Sequence, residues 1–397
     1  MVLICSNPIM RVVILGAGFG GLELSSLISE QFGSDPESGV EVVLIDKAEG
    51  FVFGFSKLEL MFHGARESEV LHRYAGMVKP GVEFVQTAIL SIDPNTRRVV
   101  TEAGTYDADI LVVALGADLV PDVTPGLVEG GNEFYSVPGA AVAGAALQAF
   151  SGGNVVVGVT STPFKCPPAP SETALLVDEF LSDRGLREAS TVTLVMPMGV
   201  PVPPSPEASQ AILAAFAERG IQWYPNALVR GVDPQRNVAL LSDGAELPFD
   251  LLLAVPAHRA PQVVLDSGLT EDGWIPVDPH SLQTRFPGVY AVGDVTSVGT
   301  PKAGVFAEGQ ATVVAARIAS LVQGDEASAA YDGHGVCYME FGRDMIAKVD
   351  VTFTSGARPV GNLEGPSVDL MRDKDQFGTS RVQKWFGRTW ERGAKLG

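Results

Sequence analysis

Arg11–Gly21, RVVILGAGFGG, opens as a β-branched apolar run and closes in a glycine-rich turn holding Gly16, Gly18 and Gly21. A helix-like stretch follows from Leu22 to about Gln31, then a second strand over Val40–Ile45 that ends at Asp46. Strand, glycine turn, helix, strand and acid in this order make a dinucleotide-binding unit. Gly16 permits the tight turn, Gly18 lets the backbone approach a pyrophosphate, and Gly21 lets helix and strand pack closely. The helix N-terminal amides then face the phosphates, and Asp46 is placed to accept from ribose hydroxyls, which favours an unphosphorylated ribose. The spacing from Gly16 to Asp46 exceeds the usual ~20 positions. The loop Gly33–Gly39, GSDPESG, absorbs the excess as a surface insertion.

A second α/β unit starts near Asn154. NVVVGV reads as a strand, Glu172–Leu186 as a helix and Thr191–Met196 as a strand. Pro206–Gly220 reads as a helix with Ala211, Ile212, Ala214 and Ala215 on its inner side and Gly220 as its cap. Phe249–Val255 is a buried strand; VYAVGD at Val289–Asp294 precedes a helix over about Ala303–Val322. The last sixty or so residues read as a β-like segment, Val336–Phe353, and an amphipathic tail. The fold class is α/β: two Rossmann-like dinucleotide-binding domains plus a C-terminal segment.

Across 397 residues, 28 Lys and Arg stand against 47 Asp and Glu, a net charge of −19, which argues against a nucleic-acid partner. Apolar residues at 46% are enough for packed cores. Cys5, Cys166 and Cys337 are too few for a disulfide scaffold or a zinc ribbon. His63, His72, His258, His280 and His334 lack metal-ligand spacing, so no metal site is expected. His258 reads as a packing residue. No run reaches ~18 uninterrupted apolar residues, and MVLICSNPIMRVVILG lacks the pattern of an export signal. The expected location is cytoplasmic; Met10 is an alternative start that would make Cys5 part of a dispensable leader.

The paired units and the late VYAVGD resemble the two-domain flavoproteins of the pyridine nucleotide–disulfide oxidoreductase superfamily. The resemblance implies FAD on the first glycine turn, with Asp294 bonding the ribityl chain and the flavin-side phosphate. It also implies a discontinuous FAD domain over 1–115 and 270–335, a second Rossmann-like domain over 116–269, and a C-terminal portion over 336–397. The second unit departs from that pattern. After NVVVGV stands Val159–Pro170, VTSTPFKCPPAP, in place of a glycine turn. Proline has no N–H to offer a pyrophosphate, so the unit is expected to keep the fold and to have lost NADH.

The segment FKCPPAPSE is similar to the cysteine motif of sulfide:quinone oxidoreductases and of the flavoprotein subunit of flavocytochrome c sulfide dehydrogenase. What this implies is a redox disulfide between Cys166 and Cys337, the latter in GVCYMEFG. Sulfide, or a persulfide or thiol, opens the disulfide and leaves a persulfide and a thiolate. Two electrons then pass through FAD to a quinone. Lys165 and the helix start at Glu172 are expected to lower the Cys166 thiol pKa. Residues 110–153 hold no third cysteine for a sulfur relay, and residues 46–55 none for covalent flavin.

On the acceptor side, the resemblance places the helix opened by TPKAGVFAEGQ, Thr300–Gln310, at the flavin pyrimidine edge, with Lys302 adding charge or bonding a quinone carbonyl. Tyr338, Phe341 and Phe353 are the aromatic wall candidates. In the tail, Arg381, Lys384, Arg388, Arg392 and Lys395 stand against Glu391 alone, interleaved with Val382, Trp385, Phe386 and Trp390 at helical spacing. This pattern suits peripheral attachment to the inner face of a membrane, docking on the protein's own body, or pairing with another subunit. A homodimer is compatible with all of this. Two other readings stay open: an NAD(P)H:quinone-type dehydrogenase of the same fold, and a non-catalytic flavin-binding redox sensor.

Overall fold

The computed structural model describes residues 10–35 and 37–390; Cys5, Glu391, Arg392 and Lys395 lie outside them. Two five-stranded parallel sheets form the frame. In the first, the strand order is Val289–Ala291, Ile110–Val113, Met10–Leu15, Val40–Asp46, Val82–Gln86. Leu15 stands opposite both Ile45 and Val113. The strand ends that carry Gly16 and Asp46 therefore meet at one edge, where a doubly wound sheet opens its ligand crevice. Val12–Leu15 are fully buried, which explains why the run reads as continuous rather than alternating apolar residues. The Phe19–Phe32 and Gly304–Gln323 helices pack on one face. The latter is long and apolar enough to cross a membrane, yet Phe306, Ala311, Val314 and Ile318 lie in the core.

The second sheet runs Asn132–Glu133, Leu251–Val255, Gly153–Val159, Ser190–Val195, Ile221–Tyr224. The Val137–Ala149, Ala169–Asp183 and Pro206–Arg219 helices bury its strands on one side. Ser205 caps the last of these, accepting from Ala208 N, and Gly220 ends it at φ +64°, as the sequence predicts.

The C-terminal portion is a three-stranded antiparallel sheet, His334–Glu340, Ile346–Thr352 and Val360–Ser367, followed by the Leu370–Phe386 helix. The third strand is absent from the sequence reading. It carries Gly361, Gly365 and Pro366, poor strand formers tolerated at a sheet edge.

Of the readings of the tail, the structure shows docking on the protein's own body for the stripe of Val382, Trp385 and Phe386. Val382 and Trp385 are fully buried and Phe386 nearly so. The Trp385 ring meets Phe19 and Phe51 edge-on at 5.4 and 5.5 Å, and Trp390 stacks on Phe53 at 5.4 Å. Trp385 Nε1 donates to Glu23 Oε2 (2.8 Å) and Lys384 Nζ to Glu23 Oε1 (2.6 Å). Arg381 bridges both oxygens of Glu308 at 2.5 and 2.6 Å. The stripe meets the first unit's own aromatic residues.

Candidate active site

A cavity of about 660 Å³ runs between the two sheets and the C-terminal sheet. Its first wall is the glycine turn. Gly16 takes φ +98°, and a Cβ there would lie 2.4 Å from Ala114 O. A Cβ on Gly21 would lie 1.8 Å from Gly16 O. Both glycines are thus required by the chain itself. Gly18 is different: a Cβ there would meet no protein atom within 4 Å, and the residue faces the cavity. The space it leaves suits a phosphate group brought close to the backbone. Asp46 accepts from Ala17 N (2.6 Å) and Ala48 N (2.8 Å), which locks the turn and leaves carboxylate lone pairs toward the cavity. The Phe19–Phe32 and Gly304–Gln323 helices both begin at this wall with no side-chain cap and no acid in the first turn, so their amide donors remain for an anion.

Asp294 lines the same cavity after Gly293, whose φ is +80° and whose N–H donates to Gln310 Oε1 at 2.6 Å. Burial pushes the Asp294 carboxyl up, opposed by Lys165, Lys302 and Lys57. These residues fit FAD: a phosphate gap, two open helix starts, and acids at both ends of the crevice.

Cys166 and Cys337 line this cavity as free thiols. Cys166 sits at φ +49°. Its N–H donates to Lys302 O (2.8 Å), its carbonyl accepts from Ala169 N (2.9 Å), and Tyr135 OH reaches the same carbonyl at 3.3 Å. The cysteine motif is therefore stitched to the loop after Asp294. Cys337 lies on the His334–Glu340 strand opposite Val349. Alternation along that strand sends Cys337 and Met339 toward the second unit's core, while Tyr338 faces Phe377 of the tail helix at 5.8 Å. One strand thus divides a sulfur side, with Pro201–Pro204, Val351 and Phe353, from an aromatic side with Tyr338, Phe55 and Phe377.

The expected low thiol pKa is not found. Burial pushes both thiols up, Cys337 to about 12, and the Glu172 carboxylate pushes both further. Lys165 does not counter this at Cys166: its Nζ donates to Ala117 O at 3.0 Å. Lys302 lines the cavity, but its Nζ donates to Asp294 O (2.5 Å) and Thr296 O (3.1 Å) and sits 3.4 Å over the Trp274 ring. Its ammonium, lowered to about 8 by burial, thus holds the Asp294 turn. Phe341 is buried in the core away from the cavity wall, whereas Tyr338 and Phe353 are on it. His258 packs edge-on against Tyr135, bonded through Nδ1 to Pro256 O and pushed down to about 3 by burial.

Two cavity residues escaped the sequence reading. Glu172, in the first turn of the Ala169–Asp183 helix, is 5% exposed and accepts from Glu340 N at 2.8 Å. Burial raises its carboxyl to about 7, against the pull of Lys374. Its place three residues into the helix after CPPAP was the available signal. Lys57, in the Ser56–Phe62 helix, also lines the wall; no motif marks it.

The sequence profile of the pyridine nucleotide-disulphide oxidoreductase family matches residues 10–317. The mitochondrial sulfide:quinone oxidoreductase of Dictyostelium discoideum is 24% identical over 96% of this chain and 88% of its own length. The sulfide-quinone reductase of Aquifex aeolicus is 25% identical over 84% of this chain and 82% of its own. A crystal structure of the sulfide:quinone oxidoreductase from Aquifex aeolicus superposes with a TM-score of 0.80 at 21% identity, covering 95% of this chain and 92% of the other. That superposition shows a shared fold.

Proposed function

We propose that this chain, which belongs to the pyridine nucleotide-disulphide oxidoreductase family, is an FAD-dependent oxidoreductase that oxidises sulfide through Cys166 and Cys337 and reduces a quinone. The observation that supports the reading is that Cys166 and Cys337, far apart in sequence, both line the cavity that Gly18 and Asp294 also line. The names of the relatives that match nearly the whole chain support the same substrates.

In this reading the Cys166–Cys337 disulfide is the oxidised form of the two thiols. Hydrosulfide attacks one sulfur, the disulfide breaks, and a persulfide and a thiolate result. A second sulfur nucleophile removes the carried sulfur. FAD supplies a two-electron relay between the thiolate side and the acceptor. Gly16, Gly18, Gly21 and Asp46 hold its adenosine and pyrophosphate, Asp294 its ribityl side, and Lys302 fixes the Asp294 turn. Glu172, raised to about 7, is matched to take the proton of hydrogen sulfide or of a thiol near neutral pH. Tyr338, Phe55 and Phe377 supply an aromatic lining for a quinone ring on the other side of the strand. A lipid-soluble acceptor fits a location at a membrane surface.

Steady-state reduction of a short-chain ubiquinone by sulfide tests the reading. Turnover is expected in wild type and a loss of at least about a hundredfold in both Cys166→Ser and Cys337→Ser. Equal turnover in either variant would sink it.

A further inference from the structure

The Ala169–Asp183 helix reaches both partners of the cysteine pair. Cys166 stands in the turn that opens it, with its carbonyl bonded by Ala169 N at 2.9 Å. Further along, the same helix meets the hairpin that carries Cys337. Glu172 Oε1 accepts from Glu340 N at 2.8 Å, on the same strand as Cys337. A Cβ on Gly342 would lie 2.9 Å from Glu179 Oε2 and 3.4 Å from Leu175 O, so the hairpin turn rests directly on the helix.

That turn is strained and clamped. Gly342, Arg343 and Asp344 take φ +69°, +54° and +60° in succession. Left-handed backbone is unfavourable for arginine and aspartate, and it persists where the surroundings fix it. Arg219, the last residue of the Pro206–Arg219 helix, donates from Nη1 to Phe341 O at 2.6 Å. Arg343 reaches back to Asp178 Oδ2 at 3.5 Å and to Glu218 Oε1 at 3.6 Å. Asp178 is buried, and its Oδ1 accepts from Arg187 Nε at 2.6 Å. Its Oδ2 has no hydrogen-bond partner among the described residues, so the Arg343 guanidinium is the charge that faces it. A buried carboxylate needs such a partner. Two arginines thus fix one turn to two helices of the second unit.

We propose that Arg219 and Arg343 are positioning residues that hold the Cys337 strand within disulfide reach of Cys166. Cys337 belongs to the C-terminal sheet and Cys166 to the second unit, and a disulfide tolerates little error in the approach of its two ends. A strand fixed in advance raises the effective concentration of one thiol at the other. The inference rests on the sulfide-oxidising reading above, in which the two thiols close to a disulfide.

The test is the disulfide equilibrium of the flavin-loaded full chain in anaerobic mixtures of reduced and oxidised dithiothreitol. Each Cys166–Cys337 bond that opens takes two electrons and two protons from one dithiothreitol, which closes to its own cyclic disulfide. Alkylation and peptide mass spectrometry read the two cysteines. Arg219→Met and Arg343→Asn are each expected to lower the constant for disulfide closure about tenfold, or about 30 mV toward easier reduction. Asparagine tolerates the left-handed φ, so the second variant removes the charge and not the turn. Its side chain is half exposed, which keeps the test open if Arg219→Met fails to fold. Arg219→Lys keeps a donor and is expected within about threefold of wild type. Constants for Arg219→Met and Arg343→Asn within threefold of wild type overturn the proposal, even where urea unfolding shows lost stability, because the clamp is then ordinary scaffold. The equilibrium is read without sulfide. A wild type that closes no Cys166–Cys337 disulfide overturns the functional reading instead.

Discussion

The Gly16–Gly21 turn and the Thr160–Pro170 turn occupy the same place in two copies of one frame, each between the end of a central parallel strand and the start of a buried helix. The first is built of absences. It needs Gly16 and Gly21 for its own packing and leaves an open gap at Gly18. The second fills the same crevice with Pro167, Pro168 and a cysteine. Cys166 accepts a left-handed φ of +49°, at a cost of about 1–2 kcal/mol, and is held there by Lys302 O, Ala169 N and the Tyr135 hydroxyl. The frame sets where the crevice lies; the residues between strand and helix decide whether it cradles phosphates or presents a sulfur.

The contrast is broken most severely at Gly21. Gly21→Ala puts a methyl 1.8 Å from Gly16 O, so the turn must open. Purified protein is expected to lose nearly all bound flavin, read as the ratio of 450 to 280 nm absorbance. Retained flavin would show that the first turn does not hold the cofactor.

At the second turn, Glu172→Gln is expected to lower sulfide oxidation by about ten- to a hundredfold without loss of flavin. The raised Glu172 carboxyl, about 7, must be ionised to act as base. Wild-type rate should therefore rise with pH through about 7, and that limb should flatten in the variant. A pH profile identical to wild type would remove Glu172 from the proton step.

Trp385→Ala sharpens the buttressing of the first turn. Trp385 is fully buried against Phe19, the first residue of that turn's helix. A loss of about 3–5 kcal/mol is expected in denaturant unfolding, with the Cys166 side untouched. A change under about 1 kcal/mol would mean that the tail docks loosely.

The smallest effect separates strain from chemistry at Cys166. Cys166→Gly is expected to be about 1 kcal/mol more stable than Cys166→Ala, because glycine takes a positive φ without penalty, while both lose sulfide oxidation. Equal stability of the two would mean that the turn relaxes away from φ +49°.

Much of the first turn was legible because its glycines are demanded by the backbone and its order of elements is distinctive. The cysteine pair was legible through a resemblance in FKCPPAPSE, and both thiols do line one cavity. Electrostatics was less legible. Lys165 beside Cys166 in sequence suggested a lowered thiol pKa, yet burial dominates and Lys165 bonds elsewhere. Lys302 was read as facing the acceptor, but two carbonyls and the Trp274 face take its charge. Lys57 carries no pattern of its own and reaches the cavity only through tertiary packing, whereas Glu172, in the first turn of the helix after Cys166, had its place beside the cysteine motif as a signal. The tail stripe of Val382, Trp385 and Phe386 reads alike whether lipid or protein covers it, and Glu23, at the start of the chain, supplies the polar partner that fixes the choice.

The most direct measurement is an anaerobic titration of the bound flavin in wild type with sulfide and, in parallel, with NADH. The account predicts two-electron bleaching near 450 nm by stoichiometric sulfide and a spectrum unchanged by NADH. Rapid bleaching by NADH with none by sulfide would contradict it.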